Sequence, residues 1–509
     1  MNSAVDTDNR PGGAPSRPAA HRADRQGRRG SHAARWWVLA VLAVAQLMVV
    51  LDATVVNIAL PEAQRALGFS DGDRQWVVTG YALAFGSLLL LGGRLSDLFG
   101  RRTTFIVGLI GFAVASAIGG AANGFDMLVA ARVAQGVFGA LLAPAALSLL
   151  TVTFTEPSER AKAFGIFGAV AGTGGALGLL LGGALTEWAS WRWVMYVNLI
   201  FAAIALVGAV LLLARHNSTE RPKLDIPGTV TVTASLFAIV YGFSQAESHG
   251  WGNGTTLGFL IGGAVLLVVF VLLELRVAHP LLPLRVVLDR TRGASYLGVF
   301  VMGIGMFATF LFLTYYLENT LAFSPIRTGL AFLPMVAAMV LSSTTSPSVL
   351  LPRVGPKVTM GAGYLLGALS MGLLTRIDVH TSYATHVLPS LILMGLGLGA
   401  AVSVAFQGAT SGVQHEDAGV ASAMVNTMQQ VGGSIGTALL STLAASAATD
   451  YVHGHLPPTP EVVAEAAIHS YVTTFWWGAA IFAVGAVLVA AIVPNKMPVP
   501  AEGEPVLVH

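Results

Sequence analysis

Long apolar stretches, each of the length of a membrane-spanning helix, constrain this chain more than any other feature. A helix needs roughly 20 apolar residues to cross the hydrocarbon of a bilayer. Charged residues make up 11% of the chain and apolar residues 54%, against about 25% and 45–50% in soluble domains. The sequence therefore predicts an all-α polytopic membrane protein. Its fourteen predicted spans lie near 36–60, 76–92, 104–122, 127–150, 162–184, 193–213, 227–244, 256–273, 294–317, 328–348, 357–375, 386–407, 418–442 and 472–493.

A weak internal repeat predicts two halves. The segments 93–102 and 350–357 each place glycine and a basic residue ahead of an apolar helix. We expect six-helix bundles at 36–213 and 290–494, because parallel repeats of this kind occur in transporters. The region 214–289 would then be a linker that carries two inserted helices.

The two ends of the chain look different from its centre. Residues 1–35 are rich in Arg, Pro, Gly, Ala and Ser and have no apolar periodicity. This composition predicts a disordered basic tail. Residues 495–509 are interpreted as a second, shorter tail.

The positions of the Lys and Arg residues predict the orientation. Cytoplasmic connections carry an excess of these residues in membrane proteins. If the N-terminus is cytoplasmic, most of the 28 Lys and Arg residues fall on the cytoplasmic side. Both termini are therefore predicted to be cytoplasmic, in the cell membrane. The exceptions are five outside arginines and the intramembrane Arg132; the five are Arg65, Arg74, Arg192, Arg327 and Arg376.

Two charged residues lie well inside predicted spans, away from the span ends. Asp52 is about 12 Å, and Arg132 roughly 8 Å, below the outer ends of their helices, counted at 1.5 Å per residue. A charge at the bilayer centre costs about 2.5–3.5 kcal/mol or more, and ionisable groups there are usually functional. We expect a functional pair that could bind and release a proton. A static ion pair that joins two helices is the alternative.

The segment that joins the second and third spans carries a recognisable pattern. Gly93 and Gly100 permit close approach and unusual backbone angles. Asp97 could face the positive N-terminal end of the third span or of another helix, and Arg101 and Arg102 follow it. We interpret the segment as a conformational switch. An ordinary basic loop would explain the two arginines but not Asp97 with both glycines.

The fifth span, 162–184, is rich in glycine. Small residues at spacings of three and four mark close helix packing. Both a tightly packed interface and a moving gate fit this pattern, and the sequence leaves them open. The residues that matter for either interpretation are Gly168, Gly172, Gly178, Gly182 and Gly183.

Several other kinds of chemistry have no sequence support. The chain has no cysteine, no phosphate-binding loop of the GxxxxGK[ST] type and no HExxH histidine cluster. The hydrolase-like Gly432–Gly436 and the dinucleotide-like Gly395–Ala400 patterns lie inside predicted spans, where those motifs have no function. We therefore expect no cofactor, metal, ATP or nucleic acid. A polytopic enzyme would need a cluster of acids or histidines at one membrane face, and a sensor would need a soluble domain.

The chain resembles the major facilitator superfamily, and within it the fourteen-helix drug:proton antiporters, from about residue 36 to 493. The first-span pattern Leu51–Pro61, the loop pattern Gly93–Arg102 and the helix-4 pattern Arg132–Gly136 carry the resemblance. The glycines from Gly168 to Gly183 match the antiporter pattern. Trp191–Trp193, Pro325–Pro334 and Gln429–Gly436 are also family-like.

The resemblance implies roles for individual residues. Asp52 would be the proton-coupling site and Arg132 its regulator, while Asp97 and Arg101 would be switch residues. The family's usual Gly-Pro in the fifth span is Gly178-Leu179 here, which makes a hinge at that point doubtful. Glu318 stands where a glutamine is common, so it is either a second titrating acid or a solvated helix end.

The expected function is proton-coupled export of lipophilic drugs or antibiotics by a monomer working through alternating access. Export of an endogenous natural product, amino acid or siderophore is the alternative. The substrate itself is not written in the sequence. Residues that could line a substrate cavity are apolar, aromatic or neutral polar: Gln135, Tyr315, Tyr316, Asn426, Gln429 and Trp476.

Overall fold

The computed structural model describes residues 17–69, 71–213, 225–278, 280–455, 457 and 459–495, and helices make up nearly all of them. Most of the predicted C-terminal tail, the first part of the N-terminal tail and the connection 214–224 lie outside the described residues. The division at 36–213, 214–289 and 290–494 stays a prediction.

The helices follow one another with short connections. The first eight are α1 (Arg17–Leu67), α2 (Asp71–Phe99), α3 (Arg101–Gly120), α4 (Phe125–Thr153), α5 (Pro157–Trp188), α6 (Trp193–Leu212), α7 (Ile226–His249) and α8 (Gly254–Glu274). The others are α9 (Leu284–Val287), α10 (Arg290–Tyr315), α11 (Pro325–Leu374), α12 (Leu388–Ala409), α13 (Ala418–Gly454) and α14 (Pro460–Ile492). Short π-helical turns occupy Tyr316–Thr320 and Tyr383–Val387.

Helix α1 begins earlier than expected. Residues from Arg17 onwards are helical, although the sequence predicted disorder up to residue 35. This stretch contains many Ala and Arg residues, which are good helix formers. A long helix also extends more easily than a new one nucleates, so the membrane span continues backwards into the basic segment.

The all-α polytopic fold is confirmed. Among the described residues, twelve helical stretches are long and apolar enough to cross a membrane. One of them, within the 50-residue α11, contains Gly355 at φ 77°, where the helix breaks into two. Helix α5, of 32 residues, is also long enough to cross. Both features are compatible with fourteen crossings, and the count of fourteen stays a prediction.

The two segments that suggested an internal repeat each contain a glycine with positive φ. Gly100, between α2 and α3, has φ 88°, and Gly355 has φ 77°. Each ends one crossing and precedes a basic residue at the start of the next, Arg101 and Lys357. Only glycine adopts this conformation without strain. The two turns therefore share a left-handed glycine, and the internal repeat stays a prediction.

The helices pack as two groups. Helix α1 packs on α4, α5 and α6, and α4 also packs on α2 and α3; α10 packs on α12, α13 and α14, and α11 on α12 and α14. The groups meet where α2 and α4 contact α13, and where α5 contacts α11 and α12. Helix α7, which lies in the predicted linker, packs on α8 and also against α2 and α13. It therefore covers the α2–α13 side of the interface between the groups.

Candidate functional site

A buried carboxylate lies at the centre of the first helix group. Asp52, on α1, is 1% exposed. Its Oδ2 accepts a hydrogen bond from Arg132 Nη1 on α4 at 2.5 Å, and the two side chains form an ion pair. The two residues that the sequence placed at similar depth are therefore in direct contact.

Arg132 is held in place by groups other than the acid. Its Nε donates to the backbone oxygen of Val77 on α2 at 3.1 Å. Its guanidinium carbon lies 4.4 Å from the centre of the Tyr81 ring, within the range of a cation–π interaction. Arg132 is itself 1% exposed. A charge this deeply buried needs such partners, because desolvation is costly.

Two amides complete the cluster around Asp52. The Oδ1 atom accepts from Gln135 Nε2 at 2.9 Å and from Asn198 Nδ2, on α6, at 2.7 Å. Gln135 also accepts from Arg132 and donates to Ser116 Oγ on α3, both at 2.8 Å. Helices α1, α3, α4 and α6 are thus joined by one polar network.

Gln135 differs from its predicted role. We expected it to line a substrate cavity, but it is fully buried and bonded inside the Asp52 network. Asn198 was not among the predicted site residues. The available signal was an amide within an otherwise apolar helix, and its partner Asp52 is 146 residues away in sequence.

An apolar cluster borders the acid on one side. Val56 lies one helical turn after Asp52, and Leu128 one turn before Arg132; both are buried, together with Leu60, Val77 and Trp191. A small apolar cavity lies among these side chains. The cluster separates the network from the end of the bundle around Trp191, which we call the far end.

The opposite end of the bundle, around Gly93 and Gly419, is called the seam end. Here Asp97 of α2 reaches the first turn of α13, where its Oδ1 accepts from the Gly419 backbone N–H at 3.1 Å. A helix N-terminus carries partial positive charge, so a carboxylate is favourable there. A Cβ at Gly93 would lie 2.6 Å from both the Gly419 oxygen and the Ala423 Cβ. Glycine is therefore required for α2 and α13 to approach this closely.

The two arginines after Gly100 behave differently. Arg101 forms an ion pair with Asp97 at 3.8 Å. Arg102 instead donates to the Val210 oxygen on α6 at 3.2 Å, within the first helix group. Gly93 and Asp97 therefore contact α13, and Arg101 pairs with Asp97 beside that contact. Arg102 instead connects α3 to α6.

A second charged contact at the seam end was not predicted. Arg160, in the first turn of α5, donates through Nη2 to the Thr410 oxygen at 2.8 Å and to its Oγ1 at 3.0 Å. Thr410 follows the last residue of α12, where helix carbonyls carry partial negative charge. Asp97 and Arg160 therefore hold opposite ends of the turn between α12 and α13, each with the charge that suits the helix end.

The glycines of α5 pack against both groups. A Cβ at Gly168 would lie 2.7 Å from Val402 on α12, and one at Gly182 would lie 3.1 Å from the Val55 oxygen on α1. A Cβ at Gly178 would overlap Thr54 Oγ1. Close packing is therefore observed at these three positions. Gly183 is buried as well, and for Gly172 the structure gives the helical backbone alone.

The other predicted cavity residues are scattered. Tyr315 is 44% and Trp476 61% exposed on helix surfaces. Tyr316 is buried within the second group, and its hydroxyl donates to the Asp378 oxygen at 3.1 Å. Asn426 is partly buried and donates to the Ser422 oxygen of its own helix. The structure does not bring these residues together.

Two further predicted residues lie apart from the Asp52 network. Gln429, also on α13, is partly buried. Glu318 lies in the short helix Tyr316–Thr320 and is partly exposed, a position that fits a solvated helix end. Among the described residues, no group of His, Asp or Glu side chains has the arrangement of a metal site.

Comparisons with known proteins agree on one family. The family model described as "Major Facilitator Superfamily" matches residues 42–437. The chain is 49% identical over 460 residues to "Puromycin resistance protein pur8" of Streptomyces alboniger, which covers 90% of each chain. It is 37% identical over 427 residues to "Cephamycin export protein CmcT" of Amycolatopsis lactamdurans, with 83% and 88% covered.

A solved structure shows the same fold. The crystal structure of the human organic anion transporter MFSD10 (TETRAN) superimposes with a TM-score of 0.61 over 89% of this chain and 99% of the other. The sequences are 16% identical, so this likeness concerns the fold alone.

Proposed function

Because this chain belongs to the major facilitator superfamily, we propose that this multi-pass membrane protein is a proton-coupled secondary transporter that exports lipophilic drugs or antibiotics by alternating access. The names of its relatives support the substrate class, since one is a puromycin resistance protein and another a cephamycin export protein. We further propose that it works as a monomer in the cell membrane, with both termini cytoplasmic.

The contact between Asp52 and Arg132 carries the proposal of proton coupling. An ionised Asp52 accepts bonds from α4 and α6 and neutralises Arg132. A proton on Asp52 removes that charge and leaves Arg132 buried beside a neutral acid, which is costly. The network would therefore rearrange when Asp52 gains or loses a proton, and α1, α4 and α6 would move relative to one another.

The seam end supplies the second half of the mechanism. Asp97 and Arg160 reach across from the first helix group to the α12–α13 turn of the second. In this conformation the seam end is closed by those contacts. Opening it requires both charges to leave their helix ends, so Asp97 and Arg101 act as conformational-switch residues rather than as substrate contacts.

One proton supplies enough free energy for useful export. At an assumed driving force of about 150 mV, one elementary charge is worth roughly 3.5 kcal/mol. Since 1.4 kcal/mol corresponds to a factor of ten, this sustains a gradient of about 300-fold in one-to-one electrogenic exchange.

Substitution of Asp52 tests the proposal. Purified Asp52→Asn protein in proteoliposomes should bind lipophilic substrates but lose efflux driven by a proton gradient, because the amide cannot titrate. Glu318→Gln serves as the comparison variant and should keep proton-driven efflux. If Asp52→Asn pumps at the normal rate while Glu318→Gln does not, Glu318 carries the proton.

Reporter fusions test the orientation. Fusions after residues 214 and 494 should report the cytoplasm, and a fusion after residue 250 the outside. An outside signal at residue 494 would contradict the orientation and the count of fourteen crossings.

Export of a natural product made by the cell itself is the second candidate. The similarity to the cephamycin export protein favours it. Deletion of this protein in its native host should then lower the amount of a secreted metabolite in the medium and raise it inside the cells. Unchanged secretion, together with drug sensitivity, would leave export of foreign compounds as the function.

A further inference from the structure

The Asp52 carboxylate is the acceptor in each of its three side-chain hydrogen bonds. Arg132, Gln135 and Asn198 each donate to the carboxylate. This arrangement suits an ionised carboxylate, which accepts bonds but has no proton to donate. A protonated Asp52 would need one neighbour that accepts a bond, so at least one of the three contacts must change on protonation.

Two of the three donors cannot make that change easily. Arg132 has no acceptor atom at all. Gln135 accepts from Arg132 through Oε1 and donates to both Asp52 and Ser116 through Nε2. Turning the Gln135 amide would break these three hydrogen bonds. It would also place the amide N–H groups against the N–H groups of Arg132, where neither side can accept a bond. Ser116 also donates to the Phe112 oxygen of its own helix.

Asn198 differs from both. Its Nδ2 donates to Asp52, while its Oδ1 is buried and has no hydrogen-bond partner among the described residues. A buried acceptor without a partner is costly and needs an explanation. The amide could turn about its side chain and present Oδ1 to a protonated Asp52 without breaking any other bond that the structure records.

We propose that Asn198 is a positioning residue that sets the proton affinity of Asp52, donating to the carboxylate when it is ionised and offering Oδ1 to the acid when it is protonated. This inference deepens the proposed proton coupling and rests on it. Among the described residues, the titratable groups that face the acid are Arg132 and, behind its guanidinium, Tyr81. Asn198 would let α6 respond to the protonation state of α1.

Removal of the amide should favour the protonated acid. Bonds to an ionised group are stronger than bonds between neutral groups, so Asn198→Leu takes more stabilisation from the carboxylate than from the acid. We expect the midpoint for protonation of Asp52 to move to higher pH by about one unit, a tenfold change in proton affinity. Asn198→Gln, which keeps an amide that can donate and accept, should restore most of the wild-type midpoint.

Infrared difference spectroscopy of the purified full-length protein tests this directly. The carboxyl band that Asp52→Asn abolishes is assigned to Asp52, and its pH midpoint is compared between wild type, Asn198→Leu and Asn198→Gln. Ser370→Ala is the control, since it removes a buried hydroxyl bonded to the Ser390 oxygen in the second group. It should leave the midpoint unchanged.

The outcomes separate this inference from the proposed function. An unchanged Asp52 midpoint in Asn198→Leu, with the protein folded, overturns the role of Asn198. A shift in Asn198→Leu that Asn198→Gln does not reverse at all also overturns it, because the amide would then not be what sets the midpoint. Because the band reports protonation itself, failure of Asp52→Asn to stop proton-driven efflux would refute the coupling proposal separately.

Discussion

Substitution of Arg160 should loosen the seam end. Arg160 makes two hydrogen bonds to Thr410, to the backbone oxygen and to Oγ1, and faces the C-terminal end of α12. Hydrogen bonds to charged groups contribute about 1.5–3 kcal/mol each, and a cation at a helix C-terminus about 0.3–1 kcal/mol. Arg160 is partly exposed, and the shorter Gln can keep one donor, so we expect Arg160→Gln to weaken the closed state by about 2 kcal/mol.

That change corresponds to about a 30-fold shift in the ratio of closed to open states. The chain has no cysteine, so a single introduced thiol can report the opening. Ala423 is fully buried and contacts α2 near Gly93. In Ala423→Cys protein, a membrane-impermeant alkylating reagent should therefore react faster when Arg160→Gln is also present.

Arg192 provides a matched control. It donates to the Gly120 and Ala122 oxygens at 2.8 and 2.6 Å, and so also holds a helix C-terminus, but within the first group at the far end. Arg192→Gln should leave the Ala423→Cys alkylation rate unchanged. Equal rates in wild type and Arg160→Gln would refute the idea that Arg160 holds the seam end closed.

Three further outcomes are expected. Arg132→Leu should destabilise the protein by about 3–5 kcal/mol, because it leaves a buried carboxylate without its counter-charge, and adding Asp52→Asn should recover most of the loss in a thermal unfolding assay. The hydroxyl oxygens of Thr79 on α2 and Ser244 on α7 lie 3.4 Å apart, so the double variant Thr79→Cys, Ser244→Cys should form a disulfide that joins the two helices. If α7 moves together with α2, this disulfide should leave efflux intact; blocked efflux would show that the two helices move separately. Cells that express the protein should tolerate monovalent dyes better than rigid dications, because Asp52 can neutralise one positive charge deep in the first group and the second charge of a dication would stay unpaired. Equal efflux rates for a monocation and a dication of matched structure would contradict this.

The local parts of the site could be predicted from the sequence. Apolar runs of spanning length gave the membrane helices, and the depth of Asp52 and Arg132 within their runs gave a pair at similar height. Gly100 and Gly355 marked the turns that adopt positive φ. These features depend on residue type and on distance along a helix, both of which can be counted in the sequence.

The roles of the cavity residues could not be predicted in this way. Gln135 was expected to face substrate and instead bonds Asp52, while Tyr315 and Trp476 lie on exposed helix surfaces. Hydropathy shows that a residue is in a span, but in a helix that is apolar all round it does not show which face points inwards. The direction of each side chain depends on how the helix is rotated against its neighbours.

The class of protein and the charges that needed partners inside the membrane could both be predicted from the residue pattern alone. The packing of the folded helices set which partners those charges bind: Asn198 for Asp52, the start of α13 for Asp97 and the end of α12 for Arg160. These contacts join positions 146, 322 and 250 residues apart. Such pairings depend on how whole helices pack against one another. A helix that is apolar on every side can be rotated without any change visible in its sequence pattern, so the sequence does not show which residues face each other.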